Sequence, residues 1–232
     1  MSISLPDNVK DLPDLRGQVG IFRSRDHAGE ILAGMLEVYS DNNEAIVMAV
    51  PAGGVPVAKV LAEQLDLPMD IAVVSKITLP WNTEVGYGAV AFDGTVRLNN
   101  DLVARLRLTD EEIQQGISKT SAKVAHRVKN LRGEQALPDL STSQIILVDD
   151  GLASGFTMHV AVEALQKAGT KSITVVVPTG HQRSVESIAV EVDTLYCANI
   201  RGGYHFAVAD AYERWSDVGE KEVVSLLAGA LS

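Results

Sequence analysis

The chain of 232 residues carries 20 Lys and Arg against 30 Asp and Glu, a formal charge of −10, with 46% hydrophobic residues. That balance argues against a broad nucleic-acid or anionic-membrane surface, which would need a basic face. No segment approaches the roughly 18 unbroken apolar residues of a membrane span, and the length suits a single α/β domain with a full core.

In chain order, Met1 to Asp14 holds acids and prolines rather than a basic start and an apolar run, so no secretory signal is read there. Ala28, Ile31, Leu32, Met35 and Leu36 recur at helical spacing, which predicts an amphipathic helix over Ser24 to Tyr39 with Ser24 or Asp26 near its cap. Ala45 to Val50 reads as an apolar strand, Pro51 to Gly54 as a tight loop, Val55 to Leu65 as a second helix and Ile71 to Val74 as another strand. The unit repeats at Ile145 to Val148, Thr157 to Ala168 and Ile173 to Val177. Such units predict an open, mainly parallel twisted sheet with helices on both faces.

Between the two units the chain makes a long excursion. Val85 to Ala91, an Asp93-Gly94 turn and Thr95 to Leu98 read as a hairpin projecting from the sheet. Asp110 to Leu131 reads as a polar helix, acidic early and with Lys129 and Arg132 late, in agreement with the helix dipole. The expected organisation is a single domain over 1–232, with its core near 20–190 and a small hood from 193 to 232 to which the N-terminus contributes. One cysteine, Cys197, permits no internal disulfide, so a cytoplasmic setting is the simplest expectation.

Ligands of open parallel sheets sit at the carboxyl ends of the strands. This puts Pro51 to Gly54, Lys76 to Glu84, Asp149 to Thr157 and Pro178 to His181 on one rim. The most informative of these follows Ile145-Ile146-Leu147-Val148, where Asp149-Asp150 leads into Gly151-Leu152-Ala153-Ser154-Gly155-Phe156-Thr157 and then a helix. A glycine-containing turn at a helix N-terminus presents backbone N–H groups to a phosphate, and Ser154 and Thr157 add hydroxyl donors. Carboxylates beside a phosphate would repel it unless sugar hydroxyls or a divalent cation lay between, so a phosphorylated sugar with Mg²⁺ fits. No Lys follows Gly155, which disfavours a P-loop, and Gly151 and Gly155 do not supply a dinucleotide-binding turn. An ordinary strand–turn–helix with an exposed acidic turn is the plain competing reading. The second loop, Ala49-Val50-Pro51-Ala52-Gly53-Gly54-Val55, has adjacent glycines that allow close backbone approach, and its helix offers free N–H groups to an anion.

The Asp149 to Thr157 run resembles the signature of type I phosphoribosyltransferases that bind 5-phosphoribosyl 1-pyrophosphate (PRPP), with Ser154 where Thr is usual. A wider similarity is to predicted phosphoribosyltransferases with an L-P-R-G-G-V-P-V-A loop. It is carried by Phe22, Arg25, Ala28-Gly29, Leu32-Ala33, Pro51, Gly53 to Ala58, Lys76-Ile77, Pro80, Asn82, Glu84, Gly88 to Ala91, Phe206 to Val208 and Glu220 to Val223. The resemblance implies that Asp149 and Asp150 contact the ribose hydroxyls and meet Mg²⁺ mainly through those hydroxyls or water. It places the 5′-phosphate on Ala153, Ser154, Gly155, Phe156 and Thr157, and the pyrophosphate on Ala52, Gly53 and Gly54. A cis peptide is implied around Pro51 to Gly53.

Two positions depart from the pattern: Ala52 stands where Arg is usual and Ser75 where a second basic residue is common. Losing a guanidinium beside pyrophosphate removes a bidentate, charge-assisted contact. Lys76, read as a catalytic residue, and Arg132, read as a pyrophosphate contact, are the cations expected to compensate. Arg23 and Arg25 precede a helix and can reach the rim, although surface arginine is the commoner role. Phe206, with Tyr204, is read either as a stacking surface for an aromatic base or as packing of the hood. The five histidines show no close metal-ligand spacing.

Taken together, these residues imply transfer of a phosphoribosyl group from PRPP to a nitrogenous, nucleobase-like acceptor with release of pyrophosphate. The excursion after Lys76 is placed to close over the site and exclude water. The rival is a PRPP- or nucleotide-sensing regulator without turnover, which the missing cation at Ala52 favours. Neither nucleic acid nor membrane is an expected partner; related enzymes are often dimers, and the apolar N-terminal helix and hairpin are compatible with a homodimer.

Overall fold

The computed structural model describes residues 5–133, 135 and 138–228. In chain order its elements are β1 (Val9–Asp11), α1 (Arg25–Met35), β2 (Ala45–Ala49), α2 (Gly54–Leu65), β3 (Met69–Ile71), β4 (Val74–Leu79), β5 (Asn82–Ala91), β6 (Val96–Leu98), α3 (Asn100–Leu106) and α4 (Asp110–Arg132). There follow β7 (Gln144–Val148), α5 (Phe156–Lys167), β8 (Ser172–His181), α6 (Gln182–Ala189), β9 (Thr194–Arg201) and α7 (Glu220–Leu227). The main sheet has the strand order β1-β9-β8-β7-β2-β3. All of its pairings are parallel, as the apolar strands require of a sheet covered on both faces.

Alternation along the strands divides the interior into two layers. Val47, Ala49, Ile146, Val148 and Val176 pack with α1 and α2, while Met48, Val50, Ile145, Leu147, Val175 and Val177 pack with α5 and α6. This two-sided burial is why those strands read as continuous apolar runs rather than alternating ones. The projecting hairpin is present and larger than the sequence suggested: β4, β5 and β6 form a separate antiparallel sheet. The strand expected over Ile71 to Val74 is two strands. β3 ends at Ile71, the Ala72 N–H still bonds to the Ala49 carbonyl at 2.8 Å, and β4 then starts the antiparallel sheet at Val74. Glu84 lies in β5, outside the residues whose side chains are described.

The N-terminal helix is capped by Ser24, whose Oγ accepts the His27 N–H, but it ends at Met35 rather than Tyr39. There the Leu36 N–H bonds to both the Leu32 and Ala33 carbonyls, and a 3₁₀ turn over Glu37–Tyr39 follows. The segment after Asp193 first completes the main sheet as β9, between β1 and β8, and leaves the rim only after Arg201. The core sheet therefore extends beyond 20–190, and the last four residues of the expected hood, 229–232, lie outside the described residues.

Helices α1 and α2 cross at Gly29. A Cβ there would lie 2.8 Å from the Val57 carbonyl oxygen and 2.9 Å from the Val60 Cβ, and the first of these contacts is with backbone that cannot rotate away. Gly29→Ala is expected to cost about 1–3 kcal/mol through overpacking, despite alanine's better helix propensity. Urea unfolding should show this as a lower midpoint at unchanged slope.

Candidate active site

β2 and β7 are adjacent parallel strands, with Ala49 opposite Val148. From β2 the chain moves to one side of the sheet, to β3, and from β7 to the other, to β8 and β9, so their carboxyl ends form a topological switch point. Each strand delivers a helix N-terminus to this rim. α2 begins after Gly53 and α5 after Gly155, neither with a side-chain cap bond nor an acidic residue in its first turn. By contrast, α4 has a capping box from Thr109 and Glu112, with three acids in its first turn. At α5 the Thr157 and Met158 N–H groups have no hydrogen-bond partner among the described residues and suit an anion. The start of α2 does not offer the free N–H groups the sequence suggested: Gly54 and Val55 donate to the Val50 and Ala52 carbonyls, both at 3.1 Å, and Pro56 has no N–H. On that side the N–H groups without a partner among the described residues are those of Ala52 and Gly53 in the loop itself.

Between these two helix starts lie Asp149 and Asp150. The Asp149 N–H donates to the Val176 carbonyl at 3.3 Å, and Asp149 Oδ1 accepts the Asp150 N–H at 2.8 Å. The glycine loop closes directly on this pair. A Cβ at Gly53 would sit 1.9 Å from Asp150 Oδ2, and one at Gly54 would sit 2.6 Å from the Val148 carbonyl oxygen. The Pro51–Ala52 peptide in this loop is cis, within the span expected.

A cation from α1 completes the pair. Arg25 Nε and Nη2 each lie 2.9 Å from Asp150 Oδ2, and Arg25 Nη1 donates to the Ser216 carbonyl at 2.8 Å. Its guanidinium lies 3.9 Å from the Trp215 ring centroid, and the Tyr212 hydroxyl donates to the Asp150 carbonyl at 2.7 Å. Burial, together with the neighbouring Asp150 charge, pushes Asp149 well above the usual carboxylate range. Burial also raises Asp150, against the opposing pull of Arg25.

The loop from Ala153 to Thr157 is anchored to β8: the Leu152 N–H donates to the Thr179 carbonyl at 2.9 Å, and the His181 N–H to the Leu152 carbonyl at 2.8 Å. Ser184 Oγ donates to the Ala153 carbonyl, and Ser154 Oγ accepts the Phe156 N–H at 3.4 Å. Gly155 takes a left-handed conformation at φ 73°, turning the chain into α5. Lys76 is exposed on β4, and among the described residues no hydrogen bond or ion pair joins it to the acids. Phe206 has the Arg201 guanidinium over its ring at 4.4 Å and His181 edge-on at 5.6 Å. It therefore belongs to a packed cluster at the ends of β8 and β9, with one face already covered.

Arg132 is not where the sequence reading put it. Its Nη2 is 2.6 Å from Asp70 Oδ1 in the middle of β3 and 3.2 Å from the Ile71 carbonyl, and its side chain is 6% exposed. Its Nε and Nη1 are buried without a hydrogen-bond partner among the described residues. A guanidinium held this way in the interior is not free to meet pyrophosphate. The residues the sequence did not single out are Tyr212, Trp215 and Ser216, which meet the rim from the C-terminal segment. Their signal was an aromatic pair three residues apart in an otherwise polar stretch.

Among the described residues, no cluster of three or more His, Cys, Asp or Glu side chains is arranged to hold a metal. Two carboxylates fit a Mg²⁺ ion that takes its other ligands from water and substrate oxygens.

The profile described as "Phosphoribosyl transferase domain" matches residues 23–202. The chain is 31% identical over 208 residues to the Mycobacterium tuberculosis (strain H37Rv) protein named "Putative phosphoribosyl transferase Rv0571c", covering 89% of this chain and 46% of that protein. It thus spans about half the length of the curated relatives it matches. Among solved structures, TT1426 from Thermus thermophilus superposes with a TM-score of 0.73 at 25% identity, over 91% of this chain and 99% of that one. A hypothetical protein from Neisseria gonorrhoeae shares the fold at a TM-score of 0.50 and 13% identity, over 92% and 99% of the two chains.

Two outcomes follow from these side chains. Because the folded-state pKa of Asp149 is raised, its ionisation costs stability once the pH rises above the unfolded carboxylate value of about 3.9, increasingly so through the folded value. Asp149→Asn should therefore melt higher than wild type at neutral pH, with the gain vanishing below about pH 4, in thermal scans at both pH values. Arg132→Met leaves Asp70 buried and unpaired, and should lower unfolding free energy by about 3–5 kcal/mol in urea titration.

Proposed function

Since the chain belongs to the type I phosphoribosyltransferase family, we propose that it uses PRPP as donor and transfers its phosphoribosyl group to a nitrogenous base, releasing pyrophosphate. The observation that carries this reading is the meeting of the Ala52–Gly53 loop and the uncapped N-terminus of α5 across one acidic pair, with Gly53 against Asp150. A molecule with an anion at each end and a diol between has the matching charge pattern. In this reading the 5′-phosphate sits on Ala153 to Thr157, the diol on Asp149 and Asp150, and the pyrophosphate on Ala52 to Gly54.

The C1–O bond to pyrophosphate breaks, its electron pair leaving with pyrophosphate, while the acceptor nitrogen forms the new bond to C1 and releases a proton. Positive charge develops on the sugar ring, as in other glycosyl transfers. The ionised carboxylate of Asp150 stabilises that charge and fixes the diol, and the loop N–H groups hold the two anionic ends in line. Asp149 and Asp150 would hold Mg²⁺, mainly indirectly, and the ion would supply charge neutralisation for the leaving group. A cytoplasmic setting fits soluble substrates and the buried free thiol of Cys197. No helix among the described residues is long and apolar enough to cross a membrane.

One observation favours a second reading, binding without turnover. The rim has no cation at Ala52, and the expected substitute, Arg132, is committed to Asp70. Incubation with PRPP and Mg²⁺ against a panel of purine and pyrimidine bases separates the two. Pyrophosphate release with at least one base is the expected result, reduced about 100-fold or more in Asp150→Asn, in line with the loss of a preorganised electrostatic contact. Saturable PRPP binding with no release for any base would establish the sensing role instead.

A further inference from the structure

The acidic pair is held by more than its own loop, and the holding is specific to one oxygen. Arg25 directs Nε and Nη2 to Asp150 Oδ2, both at 2.9 Å, while Nη1 is used on the Ser216 carbonyl at 2.8 Å. The guanidinium lies 3.9 Å from the Trp215 ring centroid, and the Arg25 side chain is only 10% exposed. Oδ2 is also the atom that a Cβ at Gly53 would strike. On its other side, the acidic loop is pinned by the Tyr212 hydroxyl at the Asp150 carbonyl and by the Asp150 N–H on Asp149 Oδ1. One oxygen of each carboxylate is thus engaged by the fold. Arg25 engages only Oδ2 of Asp150, and the two carboxyl groups also hydrogen-bond to each other.

We propose that Arg25 is a positioning residue for the ribose-binding pair, turning Asp150 so that one oxygen from each acid faces a sugar diol while the Gly53 backbone still fits behind. This rests on the reading of Asp149 and Asp150 as the ribose contacts. Lysine cannot do the same: a single ammonium cannot meet Oδ2 through two nitrogens, reach the Ser216 carbonyl and lie flat on an indole. The C-terminal segment enters the site through this contact, because Trp215 and Ser216 orient the guanidinium without themselves reaching the acids.

The test compares binding of ribose 5-phosphate, which needs both the phosphate loop and the acids, with binding of inorganic phosphate, which needs only the loop. In Arg25→Met the dissociation constant for ribose 5-phosphate is expected to rise about tenfold or more, as for loss of one partner of a desolvated charge pair, with phosphate binding unchanged. Added guanidinium ion at low millimolar concentration should restore sugar binding to Arg25→Met in a saturable manner. Arg25→Lys should fall between the two and serves as the folded variant if Arg25→Met is unstable. Ribose 5-phosphate binding equal to wild type in either variant would overturn the role. An equal loss of both ligands without guanidinium rescue would overturn it too, as the mark of a merely structural residue. A wild-type chain that binds ribose 5-phosphate no better than phosphate would instead remove the parent reading of the acids.

Discussion

The contact between the Gly53 backbone and the Asp150 carboxylate is the constraint on which the rest of the site depends. Neighbouring parallel strands lie about 4.8 Å apart, so the loops leaving them compete for the same space at the rim. Here both loops fit because positions 53 and 54 lack a Cβ: Gly53 lies against Asp150, and Gly54 lies against the Val148 carbonyl. The two helix starts are thereby brought to one place with a pair of acids between them. Packing further back serves the same end, since the close crossing of α1 and α2 at Gly29 fixes α2 behind its loop and sets where α1 begins, and hence where Arg25 reaches.

Electrostatics at this rim run against the composition of the whole chain. A protein with a formal charge of −10 keeps acids out of the first turns of α2 and α5, yet half-buries two adjacent carboxylates between them. Two such neighbouring, half-buried groups cannot both be ionised cheaply. The asymmetry of their surroundings divides the roles. Asp150 has Arg25, which opposes the effect of burial, whereas Asp149, bonded to the Asp150 backbone and carboxyl group, is the acid that burial pushes furthest. A ligand bringing hydroxyl donors or a cation would relieve that penalty, so part of the cost of burying the pair is returned on binding.

Much of the architecture was legible because the apolar runs of a doubly covered sheet and the glycine turns are local signals. The strands from Ala45 and Ile145, the helices from Gly54 and Phe156, and the hairpin after Lys76 could all be read that way. So could the cis peptide next to Ala52, through resemblance. What escaped depended on distance along the chain. β9 was taken for hood because nothing local distinguishes a sheet strand from an ordered cap, and its place is decided by pairing with β1 and β8. Arg132 read as a free cation because its partner, Asp70, lies 62 residues earlier in an interior strand. Trp215 and Tyr212 carried no motif, and their role follows from Arg25, some 190 residues away in sequence, as its bond to Ser216 shows.

Arg132 and Arg25 together explain what the substitution at Ala52 leaves behind. Both are largely buried arginines paired with an aspartate, but the pairs differ in where their charge can act. Arg132 and Asp70 neutralise each other in the interior, with two guanidinium nitrogens unpartnered among the described residues. A field enclosed in that way does not reach the rim. Arg25 is paired at the rim itself, on the same oxygen that borders the glycine loop, and its remaining surface meets an indole rather than another acid. Its positive charge therefore stands at the rim, beside the glycine loop. With Ala52 in the loop, the rim retains in Arg25 a cation aligned by the acidic pair, one that is not free to meet an anion with both forks while Asp150 holds it. Under the proposed function, that arrangement would favour recognition of the ribose over activation of the leaving group.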